Sequence, residues 1–209
     1  MAVMEHDDEP IPGLPARLPP GERILWQGRP DWWRLARSAF HLRAVALYFA
    51  FWFVLGLSGG TASGLVMTLA AGAAGVGILA LLAWAMARST LYTITNRRVV
   101  LRFGVALPLC VNLPMVKVAS ARLDLKSDGS GDIALELTPD QRAGYLTLWP
   151  YVRPWRFARP EPTLRAIPDV RLVAELLARA LAEAVPGGRR LPLADGPDAA
   201  PVPAAGALA

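Results

Sequence analysis

AVALYFAFWFVLGLSGGTASGLVMTLAAGAAGVGILALLAWAMA, residues 44–87, contains no Asp, Glu, Lys, Arg or His. A helix rises about 1.5 Å per residue and the hydrocarbon layer of a bilayer is about 30 Å thick, so one crossing takes about 20 residues and this stretch holds two. Ser58-Gly-Gly-Thr61 supplies the turn between them, because Gly and Ser punctuate helices. The reading is a transmembrane hairpin over residues 39–87, with a first span of about Ala39 to Leu57 and a second of about Ala62 to Ala87. A single crossing would strand the other apolar half in water.

The flanks set the orientation. Arg23, Arg29, Arg34, Arg37 and Arg43 precede the first span, Arg88, Arg97, Arg98 and Arg102 follow the second, and the turn is uncharged. Positive residues stay on the cytoplasmic side, so both termini are expected in the cytoplasm of a multi-pass protein of the bacterial cytoplasmic membrane. Residues 1–17 are acidic (Glu5, Asp7, Asp8, Glu9) and read as a flexible terminus, not as a cleavable signal peptide.

The spans differ in texture. The first is bulky, with Tyr48, Phe49, Phe51, Trp52 and Phe53; the second is small, and Gly64, Thr68, Ala71, Gly72 and Gly75 share faces at helical spacing. Small residues let another helix approach closely. Two readings stay open: the hairpin packs only on itself, or the small face takes a client helix or a second copy in a homodimer. His41, at the mouth of the first span, is shallow and reads as an interfacial residue.

Outside the hairpin the chain changes period. Residues 18–38, a juxtamembrane segment, interleave Trp26, Trp32 and Trp33 with arginines and prolines, which suits the headgroup layer or a strand packed on the soluble part. Beyond Arg88, alternation marks strands at Leu91–Thr95, Val99–Phe103, Val116–Leu125, Ile133–Leu137 and Tyr145–Trp149, with hairpin turns at Asn96-Arg97 and Ser127–Gly131. From about Pro168 the period becomes 3.6, with Val173, Leu176, Leu177, Ala180, Leu181 and Ala184 on one face. Residues 88–185 are therefore expected to be an antiparallel β-sheet or barrel domain closed by a C-terminal α-helix. Residues 186–209, rich in Pro, Ala and Gly, read as a disordered tail. Arg102, Pro108, Asn112 and Pro114 argue against a third span over 99–115.

Catalysis is not expected. His6 and His41 are not placed for a triad, no carboxylate pair stands out, and Gly59–Gly64 lacks a P-loop lysine. The single cysteine, Cys110, excludes an internal disulfide and reads as a buried apolar thiol. Asp128–Asp132 lacks the ligand spacing of a calcium loop. No cofactor and no metal are expected. Charge is scarce at 19%, yet the net charge of +5 suits an anionic partner, with membrane lipid ahead of nucleic acid.

Two surfaces remain. A basic collar of Arg29, Arg34, Arg37, Arg43, Arg88, Arg97, Arg98 and Arg102 suits the membrane surface, or serves only to set topology. A ribbon, Trp149-Pro-Tyr-Val-Arg-Pro-Trp-Arg-Phe-Ala-Arg-Pro160, combines rigid prolines with interface-type residues. Trp149, Tyr151, Arg153, Trp155, Arg156 and Arg159 are its candidate partner-binding residues; a loop packed on its own domain is the other reading.

Tyr92-Thr-Ile-Thr-Asn-Arg-Arg-Val-Val-Leu-Arg-Phe-Gly104 resembles the opening hairpin of bacterial pleckstrin-homology-like (PH-like) domains. Leu18-Pro-Pro-Gly-Glu-Arg-Ile-Leu-Trp-Gln-Gly-Arg-Pro30 resembles the stretch before their membrane hairpin. With the ribbon, residues 14–185 resemble the PuhB family of photosynthetic complex assembly proteins of purple bacteria. The resemblance implies a non-enzymatic membrane factor for assembling the photosynthetic reaction centre and its core antenna. It also implies the reaction-centre H subunit as a natural client, and self-association. Members of that family are often drawn with three spans, where this sequence is read with two. The alternative function is a general PH-like membrane protein that binds lipid headgroups or another membrane partner.

Overall fold

The computed structural model describes residues 14, 18–140, 144–184 and 194–195. Its longest helix, α3 (Ala62–Ser89), begins where Thr61 Oγ1 accepts a hydrogen bond from Gly64 N at 3.2 Å and then meets no charge or proline until Arg88. It is long and apolar enough to cross a membrane, and only 6% of its most apolar stretch is buried by the rest of the chain. α2 (Leu42–Leu57) folds back on α3 across residues 58–61.

The break before α2 is sharper than the hydropathy suggests. His41 adopts a left-handed conformation, φ 51°, so the helix starts at Leu42 rather than at about Ala39. α2 has 16 residues, short of the about 20 that one crossing takes. α1 (Trp32–Ser38), capped by Asp31, reaches that length only together with α2, and the two meet at a 60° bend.

Among the described residues the strands form two four-stranded sheets. β1 (Ile24–Gly28), β2 (Leu91–Thr95), β3 (Arg98–Phe103) and β4 (Leu109–Pro114) form the first, in that order and antiparallel throughout. The second places β7 (Thr163–Ile167), β6 (Gly131–Leu137) and β5 (Val118–Leu125) side by side. β8, Ala194–Asp195, runs parallel to β5 at its edge. The sheets do not close into a barrel. Residues 18–38 do not stand apart from residues 88–185 either, since β1 pairs with β2 and α1 packs on α3 and β7.

α5 (Val170–Ala184) buries Val170, Val173, Ala174, Leu177, Ala180 and Leu181 against β5, β6 and β1. Each buried Val or Leu contributes about 1.5–3 kcal/mol. Hairpin β3–β4 occupies 98–114, covering the stretch where the sequence argues against a third span. Its turn needs a glycine: at Gly104, φ 119°, a Cβ would lie 2.1 Å from the Leu107 carbonyl oxygen.

Two expectations fail locally. Tyr145–Leu148 is a single helical turn, α4, instead of a strand, its Leu148 N–H donating to Gly144 O at 3.1 Å. Cys110 is exposed, because β4 is an edge strand that turns only Leu113 fully inward. The flexible terminus expected over 1–17 and the disordered tail over 186–209 lie outside the described residues, apart from buried Leu14 and the β8 pair.

Candidate membrane and partner interface

β2 follows α3 after one residue, Thr90, so the end of the apolar helix is fixed to the centre of the first sheet. Leu91 pairs with Arg102, and the β3–β4 turn therefore lies at this helix end of the sheet. That turn exposes Val105 and Leu107. Trp84 and Arg88 stack one helical turn apart at 5.7 Å, and Arg29 Nη1 donates to the Arg88 carbonyl at 3.2 Å.

The basic collar is not one ring. Arg29, Arg88 and Arg102 sit at the helix end of the first sheet, while Arg34, Arg37 and Arg43 border the α1–α2 elbow. Arg97 and Arg98 sit at the β2–β3 turn, a strand length of about 17 Å away from α3. Arg98 is a structural strut there: its Nε and Nη2 donate to buried Glu22 at 2.7 and 3.0 Å. Burial raises the Glu22 pKa, but hydrogen bonds from Arg98 and Thr95 and the charges of Arg98 and Arg97 outweigh it, and the net shift is downward.

The ribbon also divides. Tyr151, expected to face a partner, is buried, its ring against Tyr92 at 5.9 Å and Phe103 at 5.1 Å. Burial pushes its hydroxyl pKa up, opposed by the bond with Thr90. Trp149 packs edge-on against Phe40 at 5.5 Å, beside the start of α2. Arg153 binds the buried Glu161 carboxylate at 3.1 Å, and Arg156 lies 3.8 Å from its other oxygen.

What is presented outward is the crest of the loop. Trp155, held at φ 64°, is 85% exposed and Phe157 is 62% exposed, with Arg156 and Arg159 exposed around them. Phe157 stacks on Tyr145 at 4.6 Å. Phe157 and Tyr145 were not among the expected binding residues; the signal that points to Phe157 is its place between Arg156 and Arg159.

Between α2 and α3 the small residues do two different things. Gly72 is buried against Phe49, where an added Cβ would come within 2.9 Å, and Gly75 sits next along the same ring. Gly64, Thr68 and Ala71 instead floor an open apolar groove of ≈ 790 Å³ walled by Tyr48 and Trp52. His41 is exposed, its Nδ1 3.3 Å from Ala39 O. Among the described residues no three of His, Cys, Asp and Glu gather in a metal-binding group.

Paired antiparallel sheets, a closing C-terminal helix and a directly attached apolar helix pair define a bacterial PH-like architecture. The family model for the bacterial PH domain matches residues 40–181, so the match takes in both apolar helices as well as the sheets, and the chain belongs to that family. Over 190 residues it is 41% identical to a Rhodobacter capsulatus protein described as an uncharacterized 23.7 kDa protein in the puhA 5′ region, covering 86% of this chain and 89% of that relative. No solved structure matches the chain.

Proposed function

We propose that this chain is a non-enzymatic assembly factor of the bacterial cytoplasmic membrane, acting on the photosynthetic reaction centre and its core antenna. In this reading α2 and α3 cross the membrane as a hairpin, with α1 bending along the inner face and both termini cytoplasmic. The PH-like domain then lies against the cytoplasmic leaflet. The exposed crest Trp155–Arg159 and the groove over Gly64, Thr68 and Ala71 engage a client, with the reaction-centre H subunit foremost.

The observation that carries the reading is the uncovered apolar surface of α3, which runs into the PH-like domain with only Thr90 between helix and strand. A soluble protein would pay heavily to leave such a helix in water. The photosynthetic client is supported by the sequence resemblance together with the relative's description as a protein of the puhA 5′ region. A modest, partly polar surface suits transient binding.

Affinity purification of the full chain from membranes of a photosynthetically growing strain tests the client. Reaction-centre subunits should co-purify with the wild type and be lost with the Trp155→Ala/Phe157→Ala variant. Normal reaction-centre assembly in a deletion strain contradicts the role.

A further inference from the structure

At the elbow where α1 turns into α2, a basin of ≈ 580 Å³ opens between Arg37, Ser38 and Arg43 on one side and the β5–β6 turn on the other. Most charges around it are already matched. Arg34 Nε is 3.1 Å from Asp128, Lys126 is 2.7 Å from Asp124, and Asp132 accepts from Ala166 N at 2.7 Å. Behind the wall, Arg165 lies 3.6 Å from Asp132 and donates to Ser38 O at 3.4 Å, which fixes the Ser38 backbone.

Arg37 and Arg43 are different: neither meets a carboxylate among the described residues. The Arg37 guanidinium stacks on Trp33 at 5.6 Å, and its Nε is buried without a hydrogen-bond acceptor. Ser38 Oγ, next in the chain, is buried without a partner too. Buried donors in folded proteins almost always have acceptors, so two adjacent orphans beside two unmatched positive charges describe the imprint of an anion. α2 begins at the same place with no side-chain cap, adding the positive end of its dipole.

We propose that this elbow binds the phosphate of an anionic phospholipid, Arg37 and Arg43 forming the charged clamp and Ser38 Oγ a further donor. The lipid source follows from position: the basin lies at the first turn of apolar α2, and Trp33, which stacks on Arg37, and Trp32 beside it are both exposed, the residue type that favours the headgroup layer. The site rests on the membrane reading of α2 for its source and not for its chemistry.

The test is a titration of the purified full chain in maltoside micelles with short-chain phosphatidylglycerol, and separately with inorganic phosphate, read as the melting-temperature shift. Phosphatidylglycerol should raise the melting temperature. Loss of two charge-assisted contacts in Arg37→Gln/Arg43→Gln should weaken binding about tenfold or more. Arg97→Gln, distant from the elbow, should bind as the wild type does. If the double variant fails to fold, Ser38→Ala replaces it and should weaken binding by about threefold. Wild-type affinity in the elbow variants, or equal loss in Arg97→Gln, overturns the site. Inorganic phosphate binding as tightly as phosphatidylglycerol overturns the lipid assignment. Release of the chain from native membranes by alkaline carbonate would count against the anchor and leave the titration standing.

Discussion

The Tyr151 hydroxyl lies 2.5 Å from Thr90 Oγ1, joining the start of the ribbon to the single residue between α3 and β2. Both hydroxyls also reach the Met86 carbonyl, Thr90 at 2.7 Å and Tyr151 at 3.3 Å, so the two side chains share one acceptor at the end of the helix. This bond couples the attitude of the apolar helix to the loop that carries Trp155. Tyr151→Phe should cost about 1 kcal/mol, and Tyr151→Ala about 3–5 kcal/mol through the added cavity, both measured by denaturant unfolding in detergent.

Glu22 and Arg98 give the fold an acid-sensitive tie. The folded pKa of Glu22 is below its ordinary 4.5, so the unfolded chain binds the proton more readily. The pair's contribution is therefore complete above about pH 4.5 and is lost as pH falls through the lower folded value. Glu22→Gln should destabilise by about 1–3 kcal/mol at pH 7, and the gap to the wild type should narrow as the pH is lowered toward 3. A gap independent of pH would show that the carboxylate charge is not what Arg98 uses.

Gly72 and Gly64 separate packing within the hairpin from the open groove. Gly72→Ala should destabilise by about 1–3 kcal/mol, because the Cβ meets Phe49 at 2.9 Å and neither helix has room to retreat without losing contact. Gly64→Ala meets only Thr61 Oγ1 at 3.2 Å and should leave detergent stability within about 0.5 kcal/mol. If the groove takes a client helix, Gly64→Leu should reduce co-purification without lowering the melting temperature.

The ribbon substitutions should split by partner. Trp155→Ala and Phe157→Ala remove exposed rings and should change stability by less than about 0.5 kcal/mol while weakening client capture. Arg153→Ala leaves the Glu161 carboxylate buried without its 3.1 Å contact and should destabilise the domain by about 1–3 kcal/mol. Unfolding midpoints beside pull-down yields distinguish the two behaviours.

These divisions mark where the sequence was readable. Alternating residue types and the Asn96-Arg97 turn placed β2 and β3, although both strands are buried on both faces, and a 3.6 period placed α5, because burial on one helix face leaves a local imprint. Composition cannot tell an inward ring from an outward one, so Tyr151 and Trp155 looked alike until the Thr90 contact and the φ of Trp155 separated them. Arg98 looked like a collar residue because Glu22, its partner, is far away in the chain. Gly64 and Gly72 share a spacing, and only the path of α2 decides which of them meets Phe49. The Tyr145 turn was lost for the same reason: four residues are too few to show a period, and Gly144 rather than a neighbouring strand fixes their conformation.

Cys110 gives the most direct test of the membrane hairpin, since it is the single cysteine and it is exposed on β4, in the domain proposed to face the cytoplasm. A membrane-impermeant maleimide should leave Cys110 unmodified in intact spheroplasts and label it in inverted vesicles, while a cysteine placed by G59C in a Cys110→Ser background should show the opposite. Labelling of Cys110 in intact spheroplasts, or of both positions from the same side, contradicts a two-span anchor with the PH-like domain inside.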